Sequence, residues 1–539
     1  MTNLGILALL LLSFGRPIDT YARQPLDVEH YHFAIELSDT TDRIVGSATI
    51  RMRMLSAGVR TVTLDLANAT AERKRNGMIV SDVSRAGRAL QFVHSGDHLV
   101  ISLDSASALG GEIELVVRYS GVPADGLQIK PNKYSERTFF SDNWPNKARN
   151  WLPLIDHISD KATMEMDVTA PSHLQVVSNG LRVEMTDLPR GMRRTVWRES
   201  VPIAPWLYAL GAAHFAVQRL ADYDGIPLET WVFAQDRDAG FYDYAVPTRD
   251  ALAFYSTAIG PYSYEKLANV QSNSVSGGME AASAIFYSSG SVQGNRPLRW
   301  RNVIVHEIAH QWFGNAVTEA DWNDVWLSEG FATYFTLLFI EHSYGRDEFA
   351  QGLRDSRKTI VDFDAKSPNY RVVHENLADM SQVTSAMTYQ KGSWVLHMLR
   401  QSMGDDRFWT GIRDYYARHR NANATTTDFR HAMERAAGRD LSEFFQQWLY
   451  RGGIPHLNVT WKWDAENRRV EVDVRQMQPG TPFNAPIEFG ITEDGKQRIE
   501  TGSLVGASTH FSFSAAKEPE RVELDPNVRL LMTGQLLRQ

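Results

Sequence analysis

Between Leu26 and Ala213 apolar and polar residues alternate in short runs. Ala48, Ile50, Met52 and Met54 interleave with Thr49, Arg51 and Arg53, and Ile113, Leu115, Val117 and Tyr119 are set against Glu112, Glu114 and Arg118. A period of two places one set of side chains on one face of a strand, and clusters of Gly, Asp, Asn and Ser separate the runs. This pattern predicts a large antiparallel β domain. From about Gly240 the spacing becomes helical. The stretch 247–259 reads as a helix with Pro247 in its first turn and Gly260-Pro261 as its stop. Residues 302–313 form the next expected helix, ended by Gly314. Residues 328–344 are apolar on nearly every side, so they predict a buried helix with Ser328 as N-cap and Gly345 as stop. Further helices are expected near 349–361, 389–403, 406–419, 427–437 and 441–450.

Gly452-Gly453 and Pro455 close the helical region. Alternation then returns at Leu457, Val459 and Trp461, at Val470, Val472 and Val474, and at Ile487, Phe489 and Ile491, with Asp494-Gly495 as a hairpin turn. The chain therefore reads as a multidomain α+β protein, since 539 residues are too many for one core. Its expected parts are an N-terminal antiparallel β domain over 23–213, a central domain over 214–453 that is mostly helical after 300, and a small C-terminal β sandwich over 454–539. A hydrophobic share of 43% and a charged share of 22% are ordinary for a soluble globular protein. A net charge of −8 gives no electrostatic case for a nucleic-acid partner. With no cysteine in the chain, disulfides, thiolate metal sites and cysteine nucleophiles are excluded. Residues 4–14 form an apolar run too short to span a membrane, and Thr20-Tyr21-Ala22 offers a small-residue cleavage site. They read as a signal peptide over 1–22, although its usual basic start is missing. The mature protein is then expected to be exported, periplasmic or secreted, with no integral membrane span.

The chemistry concentrates at His306-Glu307-Ile308-Ala309-His310, followed after eighteen residues by Glu329. Two histidines four apart on a helix project from one face towards one metal ion. A catalytic zinc takes three protein ligands, nitrogen or oxygen, and keeps a fourth position open. His306, His310 and Glu329 are thus expected to hold one Zn2+ per chain. Glu307 is placed to take a proton from the water that the metal activates. A buried helix with two core histidines is the blander reading, and the acid at this distance in a second apolar helix argues against it. Glu319, Asp321 and Asp324 are candidate acceptors for the outer ring nitrogens, although each also reads as a plain surface acid.

The run continues as Gln311-Trp312-Phe313-Gly314-Asn315, Val317-Thr318, Asp321-Trp322 and Trp326-Leu327. With Gly277-Gly278-Met279-Glu280 upstream and Tyr389-Gln390-Lys391-Gly392 downstream, the chain resembles the gluzincin zinc aminopeptidases related to aminopeptidase N. The resemblance runs from about residue 26 to the end. It implies a thermolysin-like catalytic domain acting on peptides. Gly277, Gly278 and Met279 would form an edge strand beside the cleft, Glu280 would bind the substrate's free α-amine, and the Tyr389 hydroxyl would stabilise the oxyanion. Three departures stand out. Ala281 and Ala282 follow where the family has Asn. Trp144 falls near the position of a second amine anchor, with Asp142 as a candidate substitute. The chain ends after the sandwich, so a short member with a more open cleft is expected, without the large C-terminal helical domain of many relatives. The expected activity is removal of N-terminal residues from peptides. Two alternatives stay open: a zinc endopeptidase or a peptidase for modified N-termini, favoured by Ala281 and Trp144, and an inactive binding scaffold of the same fold.

Overall fold

The computed structural model describes residues 24–374 and 384–539, and the expected signal segment at 1–22 lies outside them. The N-terminal region is built on an eight-stranded sheet. In Ile44–Met54 every second residue is buried and the arginines between them point outwards, as the alternation demands. The sheet is not wholly antiparallel. Its strand Leu26–Glu36 pairs antiparallel with Ile44–Met54 but parallel with Ala162–Pro171. A parallel pair needs a long crossover, and the strands lying between the two in sequence supply it. A four-stranded and a three-stranded sheet complete this region.

Next comes a mixed five-stranded sheet in the spatial order Phe215–Arg219, Leu228–Phe233, Leu267–Ser272, Ala284–Ser288, Gly278–Met279. The three inner strands run parallel, and Gly278–Met279 is a two-residue edge strand antiparallel to its neighbour. Helices α1 (Arg237–Ala258), α2 (Leu298–His310), α3 (Trp326–Tyr344) and α4 (Arg346–Asp364) follow. A π-turn, Met387–Lys391, leads into α5 (Gly392–Met403), and α6 (Asp405–His419), α7 (Thr426–Ala437) and α8 (Ser442–Trp448) finish the helical lobe.

Two expectations about helix starts are corrected. Helix α1 begins ten residues before Pro247, which sits in its interior. Tertiary contacts override the proline: Gly240 packs so tightly that a Cβ there would lie 2.5 Å from Val232. The Asp243 carboxylate also accepts the N–H groups of Gln293, Gly294 and Arg296, pinning the first half of the helix. Helix α3 begins at Trp326, so Ser328 is not its N-cap but lies within the first turn. Gly345, at φ 96, does end α3. Helices α3 and α5 cross in backbone contact, where a Cβ on Gly330 would stand 3.0 Å from the Gly392 Cα.

The C-terminal strands form a four-stranded and a three-stranded sheet. Phe489 of one packs on Phe511 and Phe513 of the other, and Asp494 and Gly495 take the left-handed conformation of a tight hairpin. This sandwich is tied to the helical lobe by the Arg357–Asp525 ion pair at 2.6 Å and by His397 Nε2 donating to the Val528 carbonyl at 2.9 Å. Among the described residues no helix is long and apolar enough to cross a membrane.

Candidate active site

Helix α2 turns His306 and His310 to one side, with their Nε2 atoms 3.1 Å apart. Glu329, in the first turn of α3, places Oε2 3.4 Å from His306 Nε2 and 3.2 Å from His310 Nε2. A tetrahedral zinc with bonds of about 2.0–2.1 Å has donor–donor edges of about 3.3–3.4 Å, so this triangle fits one ion. Glu329 Oε2 is buried and has no hydrogen-bond partner among the described residues, while Oε1 accepts the Tyr389 hydroxyl at 2.8 Å. One carboxylate oxygen is thus committed to the protein and the other is free for a metal.

The outer nitrogen of His310 finds different partners from those expected. His310 Nδ1 lies 3.2 Å from the Phe313 carbonyl and 3.0 Å from Ser328 Oγ. Donation from Nδ1 leaves the Nε2 lone pair aimed at the site. The chain just past α2 folds back at Gly314 (φ 111), where a Cβ would sit 2.2 Å from Ser328 Oγ and 3.0 Å from His310 Nδ1. The three acids singled out for this role do other things. Asp321 accepts the Asn323 N–H, and Asp324 accepts the Thr426 hydroxyl. Glu319 is fully buried rather than at the surface, and neither of its oxygens has a hydrogen-bond partner among the described residues.

Glu307 is buried behind the edge strand. A Cβ on Gly278 would fall 2.2 Å from Glu307 Oε1 and 2.4 Å from its Cγ, so only glycine lets the strand lie against this carboxylate. Gly277, by contrast, faces open space. Gly278→Ala is expected to keep the fold and lower kcat by about a hundredfold, because displacing a catalytic group by an ångström costs that order. A melting temperature near wild type with that loss would match; unimpaired kcat would show that Glu307 has room to spare.

Glu280 follows the edge strand. Its main-chain carbonyl accepts Gln311 Nε2 at 3.0 Å and Asn315 Nδ2 at 2.6 Å, and Gln311 Oε1 in turn accepts the Ser283 N–H at 3.0 Å. The residues that continue the histidine motif therefore clamp the segment carrying Glu280. Its carboxylate stands 3.8 Å from His310 Nδ1, and Oε1 is buried with no hydrogen-bond partner among the described residues. Burial pushes the Glu280 carboxyl up to about 7. Burial, and then the neighbouring Glu280 charge, push Glu307 well above the usual carboxylate range. Burial opposes ionisation of Glu329 too, but His310 and His306 outweigh it and hold this group well below its usual range. Three carboxylates in one buried pocket call for positive charge, which a divalent ion and an ammonium group would bring.

Tyr389 stacks over His306, with ring centres 6.1 Å apart. Asp142 approaches from the N-terminal region and is already engaged, with Lys147 Nζ at 3.7 Å and Gln128 Nε2 at 3.5 Å. Its charge still reaches Glu280 and contributes to the upward shift of that carboxyl. The Trp144 ring is packed edge-on against Trp206 at 4.9 Å and Trp322 at 4.6 Å. One further group carries no sequence signal. Lys161 of the N-terminal region is half-buried, and its Nζ donates to the carbonyls of Asn315 at 2.9 Å and Ala316 at 3.0 Å, behind the His310 loop.

Residues 246–448 match the peptidase family M1 domain, and residues 27–207 match the peptidase M1 N-terminal domain. The chain is similar to glutamyl aminopeptidase of Bos taurus, 28% identical over 397 residues, which is 68% of this chain and 41% of that protein. It is similar to glutamyl aminopeptidase of Homo sapiens, 27% identical over 414 residues, 74% of this chain and 42% of that protein. Aminopeptidase 2, mitochondrial, of Saccharomyces cerevisiae is 23% identical over 457 residues, 80% of this chain and 47% of that protein. The chain spans less than half the length of these relatives.

Proposed function

We propose, from the premise that this chain belongs to peptidase family M1, that it is a zinc-dependent aminopeptidase removing N-terminal residues from peptides. The observation that carries this reading is Glu280. A buried carboxylate with a free oxygen, beside a three-donor metal triangle and directly after an edge strand, suits a peptide whose chain begins there. A free ammonium is strongly hydrated, and burying it needs a carboxylate partner. The edge strand can pair with the substrate backbone, and Gly277 and Gly278 let that backbone come close.

His306, His310 and Glu329 would hold the zinc, which when bound supplies Lewis acidity for attack on a peptide carbonyl. Glu307 takes the proton from the attacking water and returns it to the departing amine. The Tyr389 hydroxyl, held by Glu329 in the free protein, donates to the oxygen on which charge develops. Convergence of all five side chains in one pocket supports an enzyme over an inactive scaffold. A reading in which modified N-termini are preferred gains from the Lys147–Asp142 pairing and the packed Trp144, which leave Glu280 as the one free anchor among the described residues.

Chelator-sensitive turnover of aminoacyl reporter substrates, with free and with blocked amines, tests the assignment. Turnover of blocked substrates alone would overturn it. Glu280→Ala is expected to raise KM for free-amine substrates by at least about tenfold, as losing a charge-assisted contact of roughly 1.5–3 kcal/mol implies. It should also narrow the gap between free and blocked substrates, with metal content unchanged. If Asp142 shares the ammonium, Asp142→Ala should show a smaller version of the same change.

A further inference from the structure

Lys391 belongs to the same signature as Tyr389, and the chemistry above gives it no task. It lies at the end of the π-turn Met387–Lys391 and is completely buried. Its Nζ donates to the carbonyls of Gly453 at 3.0 Å and Arg451 at 3.3 Å. Those carbonyls belong to the segment that joins α8 to the C-terminal sandwich. The carboxylate of Asp364, at the end of α4, also acts on the ammonium, and the Arg451 guanidinium opposes it. The joining segment is held from its other side as well. A Cβ on Gly452 would come within 2.6 Å of the Asn369 carbonyl carbon, and the N–H groups of Val372 and Val373 both donate to the Leu449 carbonyl.

The next residue, Gly392, meets Gly330 in backbone contact, and Gly330 adjoins the metal ligand Glu329. The turn bearing Tyr389 is therefore fixed at two points, one on α3 and one on the joining segment. Wide turns of this kind recur at functional sites because they re-aim side chains within a helix. Here the turn brings the Tyr389 hydroxyl to 2.8 Å from Glu329 Oε1. Burying an ammonium is costly, and packing alone would be served as well by Met or Leu. What a lysine adds is a buried pair of donors that ties two main-chain carbonyls of the half-buried joining segment to the turn.

We propose that Lys391 is a positioning residue for Tyr389, holding its turn against the Arg451–Gly453 carbonyls so that attachment of the C-terminal domain helps to aim the hydroxyl. This rests on the oxyanion role given to Tyr389 above. The test is a double-mutant cycle of Lys391→Met and Tyr389→Phe, reading kcat, KM, metal content and melting temperature. Tyr389→Phe is expected to lose about a hundred- to a thousandfold in kcat, the usual effect of deleting one oxyanion donor. Lys391→Met should lose about tenfold or more in kcat, with KM within about threefold and metal retained. The double variant should be no slower than Tyr389→Phe, because the two changes remove the same contribution. A lysine with a merely structural role would slow both backgrounds by the same factor, and that result, or an unchanged kcat in Lys391→Met, overturns the proposal alone. Full activity in Tyr389→Phe overturns the reading of Tyr389 and the proposal with it. If Lys391→Met does not fold, Lys391→Gln, which keeps N–H donors on a shorter stem, takes its place in the cycle.

Discussion

Glu307→Gln is expected to lower kcat by about two to four orders of magnitude while the protein keeps its fold and its metal. In the proposed ligand set of His306, His310 and Glu329 the Glu307 carboxylate has no place, so removing its charge would take no ligand from the ion, although Glu307 also stands near Glu280 and His310. Glutamine has the same shape, which matters because the Gly278 backbone lies directly on this side chain. What the amide cannot do is accept and return a proton, and that service is commonly worth about 10²–10⁴ in rate. Steady-state kinetics and elemental analysis of one preparation check both halves. A metal-free Glu307→Gln protein would show that Glu307 is a ligand; kcat within about tenfold of wild type would show that it is not the base.

Glu329→Ala should behave in the opposite way. It removes the oxygen at 3.2 Å and 3.4 Å from the two imidazoles and leaves a pair of nitrogens, too few to hold zinc firmly in an open site. It also deprives the Tyr389 hydroxyl of its acceptor. Activity should fall below detection and most bound metal should be lost. Binding to the native state alone raises stability, by about 2.7 kcal/mol when the free ion is at a hundred times its Kd. Wild-type protein stripped of metal should therefore melt higher on adding zinc, whereas Glu329→Ala should not respond over the same concentrations. An equal zinc-dependent shift in both would remove Glu329 from the ligand set.

Much of this architecture was readable because the informative residues stand close in sequence or repeat with a clear period. His306 and His310 are one helical turn apart, Gly345 closes α3 by its φ, and the alternation in 44–54 gives the buried face residue by residue. The misreadings share one cause. Pro247 looked like a helix start because proline is best tolerated there, but Asp243 and Gly240 hold the preceding turns through partners about 50 residues away and in a neighbouring strand. Ser328 looked like a cap because its type and place suited one, yet its hydroxyl is drawn to His310 across the α2–α3 junction. Glu319 looked like a surface acid, and nothing in the flanking residues betrays that both its oxygens are buried. Lys161 was silent, and Lys391 stood in a motif without a readable partner, since each meets main-chain carbonyls and a carbonyl has no sequence signature.

The edge strand that would receive substrate is only Gly278–Met279. Exposed sheet edges are the usual seeds of sheet-to-sheet polymerisation, and proteins suppress this by keeping such edges short. On the proposed function, two residues would give an extended peptide a foothold that the metal and Glu280 would complete. A second copy of the same sheet would bring neither an amine nor a scissile bond to the pocket, and so would gain little from so short a ladder. So short an edge can serve the proposed pairing with substrate without offering a template for fibrous self-association.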